Sequence, residues 1–200
     1  MRALHDSFVL FPGAEPKTVG HHVFAHTRSL YSVRLWGPLH PLWADRFTRG
    51  LSNLGISIQN GFARQEASGS WGAEFLVVPV PGGADPETVD YVSLTQDPPP
   101  PYAPPVVLDG YDVDGSPDRG GFVYLAVRGP DRVGFLGGLL RILCEHRLVP
   151  REMWVTTRYG EARDRLLLTS AEGRSPSDET RQALEATLDG YRQRGSALSA

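Results

Sequence analysis

The feature that most constrains this chain is internal: one pattern occurs twice. GPLHPLWADRFTRGLSNLGISI begins at Gly37, and GPDRVGFLGGLLRILCEHRLVP begins at Gly129. A short run rich in aromatic and β-branched residues precedes each Gly-Pro: LYSVRLW over Leu30–Trp36 and FVYLAVR over Phe122–Arg128. Such runs favour strands. After each Gly-Pro, apolar residues return at helical spacing. Trp43, Phe47, Leu51 and Leu54 make one stripe; Phe135, Leu139, Leu143 and His146 occupy the same offsets. A stripe of that period covers a sheet.

Two further strand-like runs follow each helix: ISIQNGFARQ and WGAEFLVVP in the first copy, EMWVTTR and ARDRLLLTS in the second. A second helix comes next, DPETVDYVSL or SPSDETRQALEATLDGYRQ, each with proline and acids in its opening residues, as helix N-termini prefer. Ser175 or Ser177 caps the last helix, and Ala183, Leu184, Leu188 and Tyr191 give it an apolar face. Each copy therefore reads β-α-β-β-α, and one closing strand would complete a four-stranded antiparallel ferredoxin-like unit.

The expected fold is α+β: two βαββαβ units whose antiparallel sheets are covered by helices on one face. VVLDGYDVD (Val106–Asp114) is expected to close the first unit. The tail GSALSA is too short and small to close the second, so one of the spare runs DSFVLFP (Asp6–Pro12) and HHVFAH (His21–His26) is expected to fill that edge, since an open edge invites aggregation. The expected boundaries are 1–28 for an N-terminal segment, 29–115 for the first unit and 118–195 for the second. DPPPPYAPP (Asp97–Pro105), with six prolines, is expected to be a stiff, extended spacer, although a proline run can also serve as an SH3-type ligand.

Bulk numbers exclude several classes. A 200-residue chain suffices for one large or two small domains. The formal charge of −3 argues against a general nucleic-acid or membrane-surface binder, which needs a basic excess. Cys144 is the one cysteine, so no intrachain disulfide can form, in keeping with a reducing compartment. No apolar run approaches the roughly 20 residues that cross a bilayer. FVLF (Phe8–Phe11) is too short for a secretory signal, so a soluble cytoplasmic protein is expected.

The stretch from Gly129 offers two readings. In one, Pro130 ends the strand, Asp131 caps the helix and Gly134 turns the chain. In the other, the amides opening the helix are left bare for an anion, and Asp131 and the helix start hold the two ends of a zwitterion. The first copy has Leu39, His40, Pro41 and Leu42 where the second has Asp131, Arg132, Val133 and Gly134. It lacks both acid and glycine, and is expected to be the structural partner of the second. Gly137 and Gly138 lie inside the helix, where each costs about 1 kcal/mol against alanine; close packing accounts for them.

The strand, D-R-x-G, amphipathic helix and T-x-x-G-E-A-R-D-x-L sequence resembles an ACT domain, most of all the C-terminal ACT repeats of bacterial uridylyltransferases and stand-alone tandem-ACT regulators. The matching residues are Asp131, Arg132, Gly134, Phe135 and Leu136, then Thr157, Gly160, Glu161, Ala162, Asp164 and Leu166. The glycine of the turn stands one place later than in the family pattern. The likeness covers about Phe122–Tyr191 well and Leu30–Asp114 weakly. It implies a non-catalytic, allosteric protein that senses an amino acid where one domain's first loop meets another's strand. Carried over, it implies a binding set of Asp131, Arg132, Val133, Gly134 and Phe135, with Trp154 and Val155 drawn from the strand segment Met153–Thr157. It also implies pairing of domains or subunits, a homodimer among them, and a protein partner that reads the change. An ACT-like scaffold without a ligand is the alternative.

Other chemistry finds little support. His21, His22 and His26 lie in a strand-like run with no acid, too few ligands for zinc, so neither a metal nor another cofactor is expected and a small metal-dependent enzyme is the weaker alternative. Cys144 sits in the helix beside Glu145 and His146, neighbours that do not face one another, and is expected to be a buried thiol. No GxSxG, Walker A or paired-cysteine pattern occurs. The hairpin strands carry too few aromatic and basic residues for an RNA reader.

Overall fold

The computed structural model describes residues 17–98, 106–116 and 120–198, with side chains through residue 192. The run Asp6–Pro12 and most of the proline-rich stretch lie outside them.

Strands β1 (Gly20–Thr27) and β2 (Leu30–Gly37) form a hairpin; helix α1 (Trp43–Asn53) follows, then the hairpin β3 (Ile56–Gln65) and β4 (Trp71–Pro79) and helix α2 (Tyr91–Gln96). The second half repeats the order with β5 (Gly110–Asp114), β6 (Val123–Pro130), α3 (Phe135–Glu145), β7 (Leu148–Arg158), β8 (Glu161–Ser170) and α4 (Asp178–Leu198). Among the described residues the strands make one eight-stranded antiparallel sheet in the order β1-β2-β4-β3-β7-β8-β6-β5.

Two expected pairings are corrected. Val106–Asp114 does not close the first half: β5 pairs with β6, with Tyr111 opposite Val127. The histidine-bearing strand does not fill the second half's edge: β1 pairs with β2, with Val23 opposite Val33. In each half the outer strand thus comes before the β-α-β-β-α run instead of after it. The cause is local. Thr27 and Leu30 are paired across a tight turn, so β1 takes the free edge of β2 before any later segment can. The edge of β6 is left for β5, which reaches it through a short connection.

The halves join where β3 runs antiparallel to β7, with Phe62 opposite Trp154. These two residues correspond in the repeat, so a pseudo-two-fold axis passes between them. Both strands carry an irregularity at matching places, between Ile58 and Asn60 and between Pro150 and Glu152.

Alternation along the strands sends one side chain set inward. Val33 and Leu35, Phe75 and Val77, Val123 and Leu125, and Leu166 and Leu168 are buried under the helices in one continuous core. The α1 and α3 stripes complete it through Trp43, Phe47 and Leu51 and through Phe135, Leu139 and Leu143. The last position of each stripe differs: Leu54 is partly buried against the core, while His146 meets the Thr187 hydroxyl at 2.9 Å.

The run from Asp85 is not one helix. Pro86–Thr88 is a 3-10 turn capped by Asp85, Val89 is extended, and α2 restarts with the Asp90 carboxylate accepting from Ser93 N at 3.1 Å. Of the two candidate caps for α4, Ser177 is used: its Oγ accepts from Thr180 N at 3.1 Å. Among the described residues no helix is long and apolar enough to cross a membrane.

Candidate functional site

β6 delivers the chain to the mouth of a pocket. Its extension is held to the β7–β8 hairpin, because Asp131 N donates to Gly160 O at 2.8 Å. That hairpin turns through Tyr159 and Gly160, both at positive φ (53° and 77°), the pattern of a two-residue turn whose twist suits its strands. Gly134 then takes φ 91°, a conformation that disfavours any side chain, and α3 starts at Phe135.

Here the structure corrects the expected cap. Gly134 occupies the N-cap position, and no side chain caps α3. Asp131 lies a turn too early to reach the first helical amides. Its carboxyl instead lies near Thr157 of β7, whose side chain favours the charged form. Burial raises the Asp131 carboxyl above its ordinary range, and Thr157 works against that rise.

The pocket draws on both halves. Asp131, Arg132, Gly134 and Phe135 come from the loop and helix start, Val155 and Thr157 from β7, Ala162 and Asp164 from β8. Opposite them stand Thr48 of α1 and Ile56, Ser57 and Ile58 of β3. The space measures about 380 Å³ including the mouth open to solvent; the enclosed part is far smaller. Of the residues singled out in the sequence, Asp131, Arg132, Gly134, Phe135 and Val155 meet here. Val133 and Trp154 are not among the lining residues. Trp154 points to the other face of the sheet, where its ring lies 5.7 Å from that of Phe62. Period-two alternation makes this necessary once Val155 faces inward. The wall across from the loop also comes from β3 of the first half, not from Met153–Thr157 alone.

Asp164 is the site residue that sequence reasoning passed over as a ligand group. It is 1% exposed and shares the inward face of β8 with Ala162, Leu166 and Leu168. Its Oδ1 accepts from Thr156 N at 3.3 Å, while Oδ2 is buried without a hydrogen-bond partner. Burial, with the nearby Asp131 charge adding to it, pushes the Asp164 carboxyl up to about 7, against the smaller opposing effect of the Thr156 amide. The signal was in the sequence: an acid on the apolar phase of a strand.

The corresponding place in the first half is filled. Gln65 pairs with Trp71 as Thr157 pairs with Ala162, so the register sets Trp71 where Ala162 stands and Ala73 where Asp164 stands. Trp43 replaces Phe135 and Leu39 replaces Asp131; all four substitutes are buried, and the Trp43 and Trp71 rings pack at 5.4 Å. Indole volume takes the space, and no carboxylate remains.

Gly137 lets α3 approach α1. A Cβ there would stand 2.9 Å from Arg49 Cγ and 3.3 Å from Arg49 N. Beside this crossing Arg49 pairs with Asp45 at 3.4 Å. Burial, with Asp45 second, pushes the Cys144 thiol up to about 11, so it is no activated nucleophile. The histidines of β1 are spread over both faces: His21 lies against the Tyr91 ring, His22 against Phe24, and His26 Nε2 meets Ser32 Oγ at 2.6 Å. Among the described residues no group of three or more His, Cys, Asp or Glu is placed to hold a metal ion.

No protein-family model matches the chain, and no curated protein matches it. Among solved structures it is similar to an aspartate kinase from Synechocystis, with 13% identity and a TM-score of 0.43. The match covers 82% of this chain and 27% of that one. A likeness of that degree decides nothing about what this chain does.

Proposed function

We propose that the chain is a non-catalytic regulatory module of tandem ACT type, whose second unit senses an amino acid at the junction with the first. One observation carries the reading: the loop with Asp131 and the uncapped start of α3 face a pocket completed by β3 and α1 of the other half. A ligand there touches both halves, and it can shift an equilibrium only by touching two arrangements differently. The filled first-half counterpart gives the pair one open junction and one closed one. A protein partner, or a second copy of the chain, would read the shift.

Titration with the twenty amino acids, by calorimetry or thermal shift, tests the reading. At least one is expected to bind. Silence across the panel from folded protein would defeat it. The narrowness of the enclosed space favours a second reading, a ligand-free scaffold. Asp131→Ala separates the two. A sensor loses ligand affinity by tenfold or more; a scaffold changes in stability by less than about 1 kcal/mol, since Asp131 is no helix cap.

A further inference from the structure

We propose that Asp164 and Asp131 together recognise the ammonium group of a small, uncharged α-amino acid. The inference rests on the sensing role and narrows it to a ligand class. Asp164 Oδ2 is a fully buried carboxylate oxygen with no partner, on a side chain that lines the pocket. Leaving such an oxygen unpaired is costly, and a cationic donor is the group that best offsets the cost. Asp131 supplies a second carboxylate close enough to raise its neighbour.

Among the described residues the surroundings provide no internal cation for Asp164. On the loop, Arg132 is exposed at the pocket rim. On α1, Thr48 faces the pocket and the adjacent Arg49 is paired with Asp45. β3 presents Ile56, Ser57 and Ile58; β7 presents Val155 and Thr157; on β6, Val127 stands opposite Asp164. A ligand carboxylate has its own place at the first-turn amides of Leu136 and Gly137, which line the pocket and have no side-chain cap; the Phe135 amide is already taken by Arg132 O at 2.9 Å. Ile56, Ile58, Val155 and Ala162 leave the side chain a narrow, uncharged wall. Glycine, alanine and serine fit that description; lysine, glutamate and tryptophan do not.

Because Asp164 titrates near neutrality, an ammonium must displace its proton. The proton goes to the buffer, so binding and pH are linked. Affinity then rises about tenfold between pH 6 and pH 8, and about half a proton is released per ligand at pH 7.

Calorimetry on the full chain in two buffers of different ionisation enthalpy measures that release directly, with glycine, L-alanine, L-serine and N-acetyl-L-alanine as probes. The expected result is binding of at least one free amino acid with proton release, and none of the N-acetyl compound. Asp164→Asn should lose at least tenfold in affinity and abolish the pH trend. The proton count on the unaltered protein decides the matter if that variant fails to fold. Binding without proton release, equal binding of the N-acetyl compound, or an Asp164→Asn variant of full affinity would overturn the proposal and leave sensing intact. Silence across all twenty amino acids would remove both.

Discussion

Asp164 ties the stability of the fold to pH at the wall of the pocket. Its folded carboxyl titrates near 7, against the ordinary 3.8. Between those values the folded chain holds a proton that the unfolded chain has lost, so stability falls as pH rises from about 4 to about 7 and levels off above. The shift corresponds to a loss on the order of 4 kcal/mol in all, of which about 3 kcal/mol falls between pH 4.5 and pH 8. Asp164→Asn keeps the shape and removes the titration. Urea unfolding at pH 4.5 and pH 8 should therefore show the variant gaining on the wild type by about that amount between the two. Parallel pH profiles would mean that the carboxyl is ionised throughout. The residue was half legible in the sequence. Ala162, Asp164, Leu166 and Leu168 alternate with charged or polar-facing positions, which places the acid inward. That its second oxygen lacks a partner depends on what β7 and the loop offer, and no spacing encodes that.

At the scale of elements, the helices were the most legible parts, because their stripes are local. Trp43, Phe47 and Leu51, like Phe135, Leu139 and Leu143, are buried as their period requires. The strands were legible as strands but not in their pairing. Nothing in GYDVD distinguishes the edge of β6 from that of β2; a competing hairpin decides it. The helical glycines show the same division. Gly137 faces α1, and Gly190 in α4 has open space where a Cβ would stand. Alanine gains helix propensity of about 1 kcal/mol at either place. At Gly137 the methyl group meets Arg49 within 3.3 Å, including its backbone nitrogen, so the helices must part. Overpacking of this kind costs about 1–3 kcal/mol and exceeds the gain. Opposite signs are expected in denaturant unfolding: Gly190→Ala more stable by about 0.5–1 kcal/mol, Gly137→Ala less stable. If both rise, α1 and α3 are not held by this contact.

At the scale of the whole molecule, the repeat suggests two units, but three features bind the halves into one. The sheet runs unbroken through β3 and β7, α1 crosses α3 at Gly137, and the buried residues form one cluster. A pocket whose walls come from both halves needs such a joint to be rigid, since a small slip between β3 and the α3 start would open or close it. The coupling has a measurable consequence. Trp36, Trp43 and Trp71 lie in the first half and Trp154 at the junction, so indole fluorescence reports chiefly on the first half, whereas far-ultraviolet dichroism reports on both. Leu166 is fully buried in β8 of the second half. Leu166→Ala should cost about 2–5 kcal/mol. If the halves unfold together, the fluorescence midpoint drops by the same amount as the dichroism midpoint, although no first-half residue has changed. If they unfold separately, fluorescence stays where it was while dichroism splits into two steps, and the pocket then lies on a joint too loose to carry a signal from one half to the other.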